Sequence, residues 1–222
     1  MFFDDELCHN KFCMRSTYRA AANGHLKCLK FSHENGCEWH PETTYVAAKN
    51  GYLECLQYAH ENGCKWDPRT TSGAAANGHL ECLRYAHENG CEWGTLTTYY
   101  AAQNGHLECL RYAHENGCEW HPRTTWLAAD NGHLECLRYA HEYRCEWHPN
   151  TTYFAALHGH LECLMYIYEH CGDVATWKNA DLESVYERFP KEIQDFIDSV
   201  REDWKCGLNR PGARTKSAKR NY

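Results

Sequence analysis

A 27-residue repeat constrains this chain more than any other feature. Its clearest copy, NGHLECLRYAHENGCEW, runs from Asn104 to Trp120. A weaker sixth copy begins at His158. The same frame starts at five earlier positions: Asn23, Asn50, Asn77, Asn104 and Asn131. A fixed period of this length is typical of proteins built from stacked small repeats, so it predicts an array of repeats in place of a single globular core.

The charge of the chain is unevenly distributed. The formal net charge is −7 at pH 7. Residues 205–222 contain six Lys or Arg and no acidic residue, which leaves 17 basic and 30 acidic residues in the first 204. Because an acidic array repels nucleic acid, we expect no nucleic-acid binding except through the basic tail.

The sequence predicts no membrane association. No apolar run approaches the roughly 20 residues that a helix needs to cross a bilayer. The start, MFFDDE, is acidic, whereas a signal peptide starts with basic residues. We therefore expect a cytoplasmic location, with the nucleus as an alternative through the basic tail.

Eleven of the fifteen cysteines follow the repeat. One repeat position holds Cys28, Cys55, Cys82, Cys109, Cys136 and Cys163, and a second holds Cys37, Cys64, Cys91, Cys118 and Cys145. Equivalent positions of stacked helices lie about 8 to 10 Å apart, but a disulfide needs Cα atoms within about 7 Å. We expect the cysteines of neighbouring copies to remain free and buried, as small apolar side chains.

Each repeat predicts two short helices. The first begins near Thr98, with the hydroxyl of Thr97 or Thr98 as its cap, and ends at Gly105. The second spans about Leu107 to Glu115 and ends at an Asn-Gly pair. Because isolated helices shorter than about 12 residues are marginal in water, stacking must supply the stability.

These residues resemble an ankyrin repeat. The segment from Gly105 to Trp120 is similar to GHLEVVKLLLExGADV, and Ala101-Ala102 is similar to the ankyrin Leu-Ala-Ala. The resemblance covers residues 17 to about 174. The period is shorter than the usual 33 or so residues, and the missing residues fall in the β-hairpin. Shortened repeats with Cys and Trp resemble those of ankyrin-type proteins from large DNA viruses of amoebae, and from algae and oomycetes.

This resemblance implies an all-α solenoid of six hairpin-less helix-turn-helix repeats that binds a protein partner, without catalysis or a cofactor. A viral origin would imply the host cell cytoplasm. We expect an N-terminal helical cap over residues 1–16, the array over 17–176, two amphipathic capping helices over 177–204 and a disordered basic tail over 205–222.

The repeated His and Cys side chains raise a metal-binding alternative. One repeat holds His106, Cys109, His114 and Cys118, which are zinc-ligand types. Their spacing is not a paired ligand set, and each coincides with an ankyrin core or helix-end position. We therefore favour packing and predict no metal site. Thiol catalysis is not expected either, because a nucleophile needs one specially tuned site and this pair recurs in every repeat.

Three positions of the first helix form columns along the array. The aromatic column is Tyr18, Tyr45, Ser72, Tyr99, Trp126 and Tyr153. The second column is Arg19, Val46, Gly73, Tyr100, Leu127 and Phe154, and the third column is Ala22, Lys49, Ala76, Gln103, Asp130 and Leu157. Variable positions on a fixed framework are typical of a recognition face, and the first helices of such arrays line the concave side.

From these columns we predict a partner-binding set: Tyr45, Lys49, Tyr99, Gln103, Trp126, Asp130 and Tyr153. An alternative is that the aromatic rings are buried and fill the space of the missing hairpins. We expect Lys49 and Asp130 to be exposed. The Trp column (Trp39, Trp66, Trp93, Trp120 and Trp147) is expected to lie in the core between repeats.

The segment from Phe189 to Ile197 suggests a different function. It weakly resembles the Leu-Pro-x-Glu-Ile opening of the F-box segments that poxvirus ankyrin proteins use to engage a ubiquitin-ligase scaffold. A capping helix with Pro190 at its first position explains residues 189–204 equally well. The favoured function is a non-enzymatic protein-binding scaffold; a substrate adaptor for a ubiquitin ligase is the alternative.

Overall fold

The computed structural model describes residues 16–170 and 186–205, with side chains as far as Arg201. The described part is all helical and contains no strand, so the hairpin of longer repeats is absent there. The first helices of the six repeats are α1 (Thr17–Ala22), α3 (Thr43–Lys49), α5 (Thr70–Ala76), α7 (Thr97–Gln103), α9 (Thr124–Asp130) and α11 (Thr151–Leu157). The second helices are α2 (Leu26–Glu34), α4 (Leu53–Glu61), α6 (Leu80–Glu88), α8 (Leu107–Glu115), α10 (Leu134–Glu142) and α12 (Leu161–His170). A 3₁₀ turn (Tyr186–Arg188) precedes α13 (Lys191–Lys205).

The chain forms two compact units: residues 1–101 with 106–121, and residues 102–105 with 122–222. Equivalent helices pack side by side within each unit. In the first unit α1, α3 and α5 follow one another, as do α2, α4, α6 and α8. In the second unit α9 packs against α11, and α10 against α12. The repeated helix-turn-helix pattern is that of a solenoid, as the period predicted.

Small side chains allow the first helices to pack closely. Ala47 and Ala48 of α3 are completely buried, and the other first helices bury the same Ala-Ala pair. Each second helix buries one leucine completely, such as Leu56 in α4. Because the apolar residues of one repeat are buried by the next, each repeat depends on its neighbours for stability.

In the first five repeats, a threonine side chain links the first helix to the connector that follows its repeat, such as residues 62–69 between α4 and α5. Thr44 Oγ1 donates to the carbonyl of Lys65 (3.4 Å) and accepts from the backbone N–H of Asp67 (3.0 Å). The same pair of bonds is made by Thr17, Thr71, Thr98 and Thr125. A hydroxyl therefore satisfies two backbone groups in every connector, and the connector stays ordered without a hairpin.

The predicted capping role of the threonines is wrong. Helix α7 begins at Thr97, so Thr97 and Thr98 are its first two residues. The N-cap residues of α3, α5, α9 and α11 make no side-chain capping bond. The Thr98 hydroxyl instead makes the two connector bonds. A sequence pattern cannot show which of these two roles, helix capping or connector bonding, a threonine has.

Ten cysteines of the described segments form no disulfide, and all of them except the half-buried Cys37 are buried. None of these ten pairs with a neighbouring copy, as the spacing predicted. Cys28 departs from the prediction because it is disulfide-bonded. The spacing argument covered only bonds between neighbouring copies of a column.

Helix α13 buries Ile193, Ile197 and Val200 on one side, and Phe189 just before the helix is buried as well. Pro190 lies next to Gly159, where a Cβ would meet the Pro190 ring at 3.1 Å. The first of the two predicted C-terminal helices falls largely on residues 171–185, outside the described residues. The predicted N-terminal cap (residues 1–16) and the basic tail (205–222) also lie outside them, except for Ser16 and Lys205. In the part of the chain that the structure describes, no helix combines the length and the apolarity needed to cross a membrane.

The connector threonines generate a stability prediction within the second unit. Thr125→Val removes the bonds to Glu146 (3.0 Å) and His148 (3.0 Å) and leaves their backbone groups without these partners. We expect this change to lower the free energy of unfolding by about 1–3 kcal/mol. Thr152 is the matched control, because its buried hydroxyl has no hydrogen-bond partner in the described residues. Thr152→Val should therefore have no effect or stabilise the protein slightly. Urea denaturation measures both, and equal losses for the two variants would contradict the account.

The break in the repeat at Arg144 gives a second prediction. Arg144 has a φ of 63°, where equivalent positions hold glycine, such as Gly117 with a φ of 86°. Arg144→Gly removes the steric penalty of a side chain in the left-handed region and should raise the free energy of unfolding by about 1 kcal/mol. The reverse change, Gly117→Arg, should lower it by a similar amount, because no atom within 4 Å would meet its Cβ. Thermal denaturation tests the pair, and no gain for Arg144→Gly would contradict the prediction.

Candidate functional site

The aromatic column is half-buried in every repeat that has a ring in this position. The rings lie against the following connector: Tyr18 is 5.0 Å from the His40 ring, and Tyr99 is 5.0 Å from the His121 ring. Neither full burial nor full exposure describes this column. Each ring packs partly against its own repeat and connector, and the remaining surface of the ring is accessible to solvent.

Tyr45 lies between two cations. The Arg69 guanidinium is 4.4 Å from its ring centroid, and the Lys49 ammonium is 5.7 Å from it. Gly73 of the next repeat packs against the ring, where a Cβ would come within 2.8 Å of it. Lys49 itself is exposed, as predicted.

Arg69 also binds two carboxylates. It donates to Asp67 through Nε (3.0 Å) and Nη2 (2.8 Å), and to Glu42 through Nη2 (2.7 Å). The hydrogen bond from Arg69 is the main reason that the pKa of Asp67 lies below its usual value. Arg69 is not among the predicted site residues, because it lies in a connector and the prediction used only the three columns of the first helices.

In the second unit Trp126 is the centre of an aromatic cluster. Its ring is stacked on His148 (5.1 Å between centroids) and lies 5.2 Å from Phe154, and the Arg123 guanidinium is 5.4 Å away. Tyr153 contacts Phe154 edge to face at 5.0 Å. The Trp126 Nε1–H is buried and has no hydrogen-bond partner in the described residues.

The third column is less exposed than predicted. The Asp130 side chain is only 19% exposed, and its Oδ1 lies 2.8 Å from His158 Nδ1. His158 replaces the asparagine found at the equivalent position of other repeats, and it reaches the Asp130 side chain. The expectation of a freely exposed Asp130 is therefore wrong. Gln103, in the same column, is half-buried.

The second helices carry a separate ladder of rings that joins neighbouring repeats. Trp66 stacks on His60 (4.4 Å) and donates from Nε1 to the carbonyl of Asn89 (3.1 Å). His60 Nδ1 lies 3.2 Å from the hydroxyl of Tyr85 in the next repeat. The tryptophans are thus inter-repeat contacts, as predicted, but they are half-buried and are not part of a closed core.

The histidines and cysteines of the described residues pack against other residues of the repeats. Residues 16–170 and 186–205 contain no group of three or more His, Cys, Asp or Glu placed to hold a metal ion. Burial raises the pKa of the Cys109 thiol to about 12, and that of Cys82 to about 11. Burial also lowers the pKa of His106 below its usual value. Thiols with raised pKa values are poor nucleophiles at neutral pH.

A cavity of about 480 Å³ lies beside Ser72 in the first unit. Its walls include Trp66, Arg69, Trp93 and Leu96. Ser72 is a member of the aromatic column without a ring, and neither Ser72 nor Gly94 is in the predicted partner-binding set. The sequence does contain a signal for this cavity. Ser72 and Gly94 both lack a ring, and they are 22 residues apart, as are Tyr99 and His121, whose rings contact each other.

The repeated helix pair, the connectors without strands and the half-exposed first-helix face define a helical repeat scaffold. The family described as "Ankyrin repeats (3 copies)" matches residues 44–124, 72–139 and 98–179, which together span more than half of the chain. The chain belongs to the ankyrin-repeat family. Ankyrin repeats are general, non-enzymatic scaffolds for protein–protein interaction.

A solved structure supports the same fold. The crystal structure of the human ASB11 ankyrin repeat domain matches with a TM-score of 0.58 and 17% sequence identity, over 73% of this chain and 82% of that chain. At this identity the likeness shows the fold alone. No curated protein matches the sequence.

Proposed function

We propose that the chain binds a protein partner through the three columns of its first helices. The observation that carries the proposal is that the buried framework is nearly constant, whereas the accessible side chains beside it vary. The Ala-Ala pairs and connector threonines recur in every described repeat. The third column changes from Lys49 to Gln103 and Asp130. Framework residues that must stack cannot vary freely, so the variable residues are the ones available for recognition.

In the first unit, the face consists of Tyr45, Lys49 and Tyr99. The two tyrosines provide rigid rings with part of their surface accessible, and Lys49 adds an exposed cation beside Tyr45. Half-buried aromatic rings lose little side-chain entropy on binding, which is why such rings dominate many interfaces.

In the second unit, Gln103, Trp126, Asp130 and Tyr153 form the corresponding face. Trp126 and Tyr153 are held by Phe154, so their rings are preorganised. Asp130 contributes through its pair with His158, and a partner cation would compete for that carboxylate. This face has the opposite charge from the one around Lys49.

The structure favours neither alternative function. The apolar side of residues 189–200 is buried, including Ile193 and Ile197, so it is occupied within the second unit. A ubiquitin-ligase scaffold would have to bind the polar side of α13. No described His and Cys side chains converge as metal ligands. A cytoplasmic location is part of the proposal and rests on the sequence composition. A host protein as partner, if the chain is viral, rests on the resemblance alone.

A paired set of variants tests the proposed face. The face variant combines Lys49→Ala, Tyr99→Ser and Gln103→Ala; Ser72 occupies the aromatic column naturally, so serine is compatible with the fold. The control variant changes three exposed residues of second helices: Lys27→Ala, Glu54→Ala and Glu81→Ala. We expect partners captured by the wild type from native cells to fall at least about tenfold with the face variant, equivalent to about 1.4 kcal/mol. The control should capture wild-type amounts.

Quantitative mass spectrometry of the captured proteins measures both, with thermal denaturation confirming that each variant is folded. Wild-type capture by a folded face variant would contradict the proposal. A further variant, Glu192→Ala with Asp195→Ala, changes only exposed residues of α13. Loss of ubiquitin-ligase components with this variant alone would support the adaptor function instead.

A further inference from the structure

The third repeat lacks a ring contact that the first and fourth repeats make. In the first unit, the ring of Tyr18 lies on His40, and the ring of Tyr99 lies on His121. The equivalent residues of the third repeat are Ser72 and Gly94, so both rings are missing. The connector closes partly, because a Cβ on Gly94 would lie 3.2 Å from the Ser72 Cβ.

A cavity remains beside this close contact. It has a volume of about 480 Å³, which exceeds the volume of any single side chain. Its apolar walls include Trp66, Trp93 and Leu96. Leu96 stands where the neighbouring repeats have Arg69 and Arg123, so the third repeat adds no cation to the cavity beyond Arg69 of the preceding connector.

The polar residues of the cavity make it negative. Arg69 is already shared between Asp67 (2.8 Å) and Glu42 (2.7 Å). Glu92 also lines the cavity, and its carboxylate has no ion-pair partner in the described part of the chain. Both Asp67 and Glu92 act on the Cys91 thiol: burial raises its pKa to about 11, and these two charges add to the increase. The cavity therefore combines indole surfaces with excess negative charge.

We propose that this cavity binds an arginine side chain from a basic segment of the protein partner. The inference rests on the proposed function and names the chemistry of one contact. A guanidinium is planar, stacks on aromatic rings and pairs with a carboxylate through two N–H groups, whereas a lysine ammonium is a compact and strongly hydrated charge.

The chain itself uses the same combination elsewhere. Arg69 lies 4.4 Å from the Tyr45 centroid while it binds two carboxylates. Arg84 lies 5.5 Å from the Tyr112 centroid. In the cavity, the indoles and Glu92 lie beside Arg69, whose guanidinium is already bound to Asp67 and Glu42 and leaves Glu92 without a cation. The excess of acidic over basic residues among the first 204 residues also attracts a basic segment of a partner.

The test is a titration of the full chain with two peptides, acetyl-Gly-Gly-Arg-Gly-Gly-amide and the same peptide with citrulline. Citrulline keeps the shape of arginine but is neutral. The indole N–H signals of Trp66 and Trp93 are followed by NMR, with Trp147 as the reference in the second unit. We expect the arginine peptide to shift the signals of Trp66 and Trp93 but not that of Trp147. The citrulline peptide should bind at least about fivefold more weakly, since the charge contributes about 1 kcal/mol.

Variants locate the binding site. Ser72→Tyr with Gly94→His restores the residues of the fourth repeat and fills the cavity, so the arginine peptide should no longer shift either signal. Leu96→Arg supplies an internal guanidinium and should have the same effect, and it provides a second test if the double variant does not fold. Glu92→Gln should weaken binding about fivefold, because it removes the unpaired carboxylate. Glu119→Gln, at the equivalent exposed position of the next repeat, is the matched control and should leave binding unchanged.

Three results would overturn the inference: equal binding of the two peptides, unchanged binding to a folded variant with a filled cavity, or equal effects of Glu92→Gln and Glu119→Gln. Failure here is distinguishable from failure of the proposed function. If the peptide does not bind but the first-helix face variant still loses its partner, only the arginine contact is wrong. In the opposite case, the variants with a filled cavity no longer bind the arginine peptide, but the face variant still captures its partners. That result would refute the proposed face and support the arginine contact.

Discussion

The hydrogen bonds of one threonine side chain hold each of the first five repeats to its connector, and the rest of the fold depends on them. Longer ankyrin repeats carry a β-hairpin, in which backbone groups pair with each other. Here Thr44 and its equivalents accept one connector N–H and donate to one connector carbonyl. A buried backbone group without a partner is unfavourable by about 1–3 kcal/mol, so a connector without strands needs such a substitute. The completely buried Ala47 and Ala48 then allow neighbouring first helices to approach closely.

The sequence predicted the helices accurately where the repeat is regular. Helix α8 spans Leu107–Glu115, as its apolar spacing and the following Asn-Gly pair predicted. The role of Thr98 was wrong, because a threonine at a helix start suits either a cap or a bond to a connector about 21 residues away. Only the tertiary structure distinguishes the two. The disulfide at Cys28 was also missed, since period and spacing describe only equivalent positions.

The candidate site was only partly predictable for a related reason. The repeat shows which residues occupy equivalent positions, but the exposure of each of these side chains depends on the residues of the next repeat. Lys49 is exposed as expected, whereas Asp130 is held by His158, an irregular residue 28 positions later. The cavity beside Ser72 depends on two small residues in different segments, Ser72 and Gly94. Irregular residues therefore determine both the charge and the shape of a face whose framework is regular, and this is where recognition of a particular partner would arise.

Amide hydrogen exchange tests the central claim most directly, because it measures whether the connector bonds persist in solution. The backbone N–H groups of Asp67, Gly94 and His148 each donate to a threonine hydroxyl of the preceding first helix. If these bonds order the connectors, the three amides should exchange as slowly as the helical amide of Leu56, since both then require opening of the stacked repeats. Exchange at the rate of an unfolded chain, with Leu56 still protected, would show that the threonines do not replace the hairpin and would contradict the account.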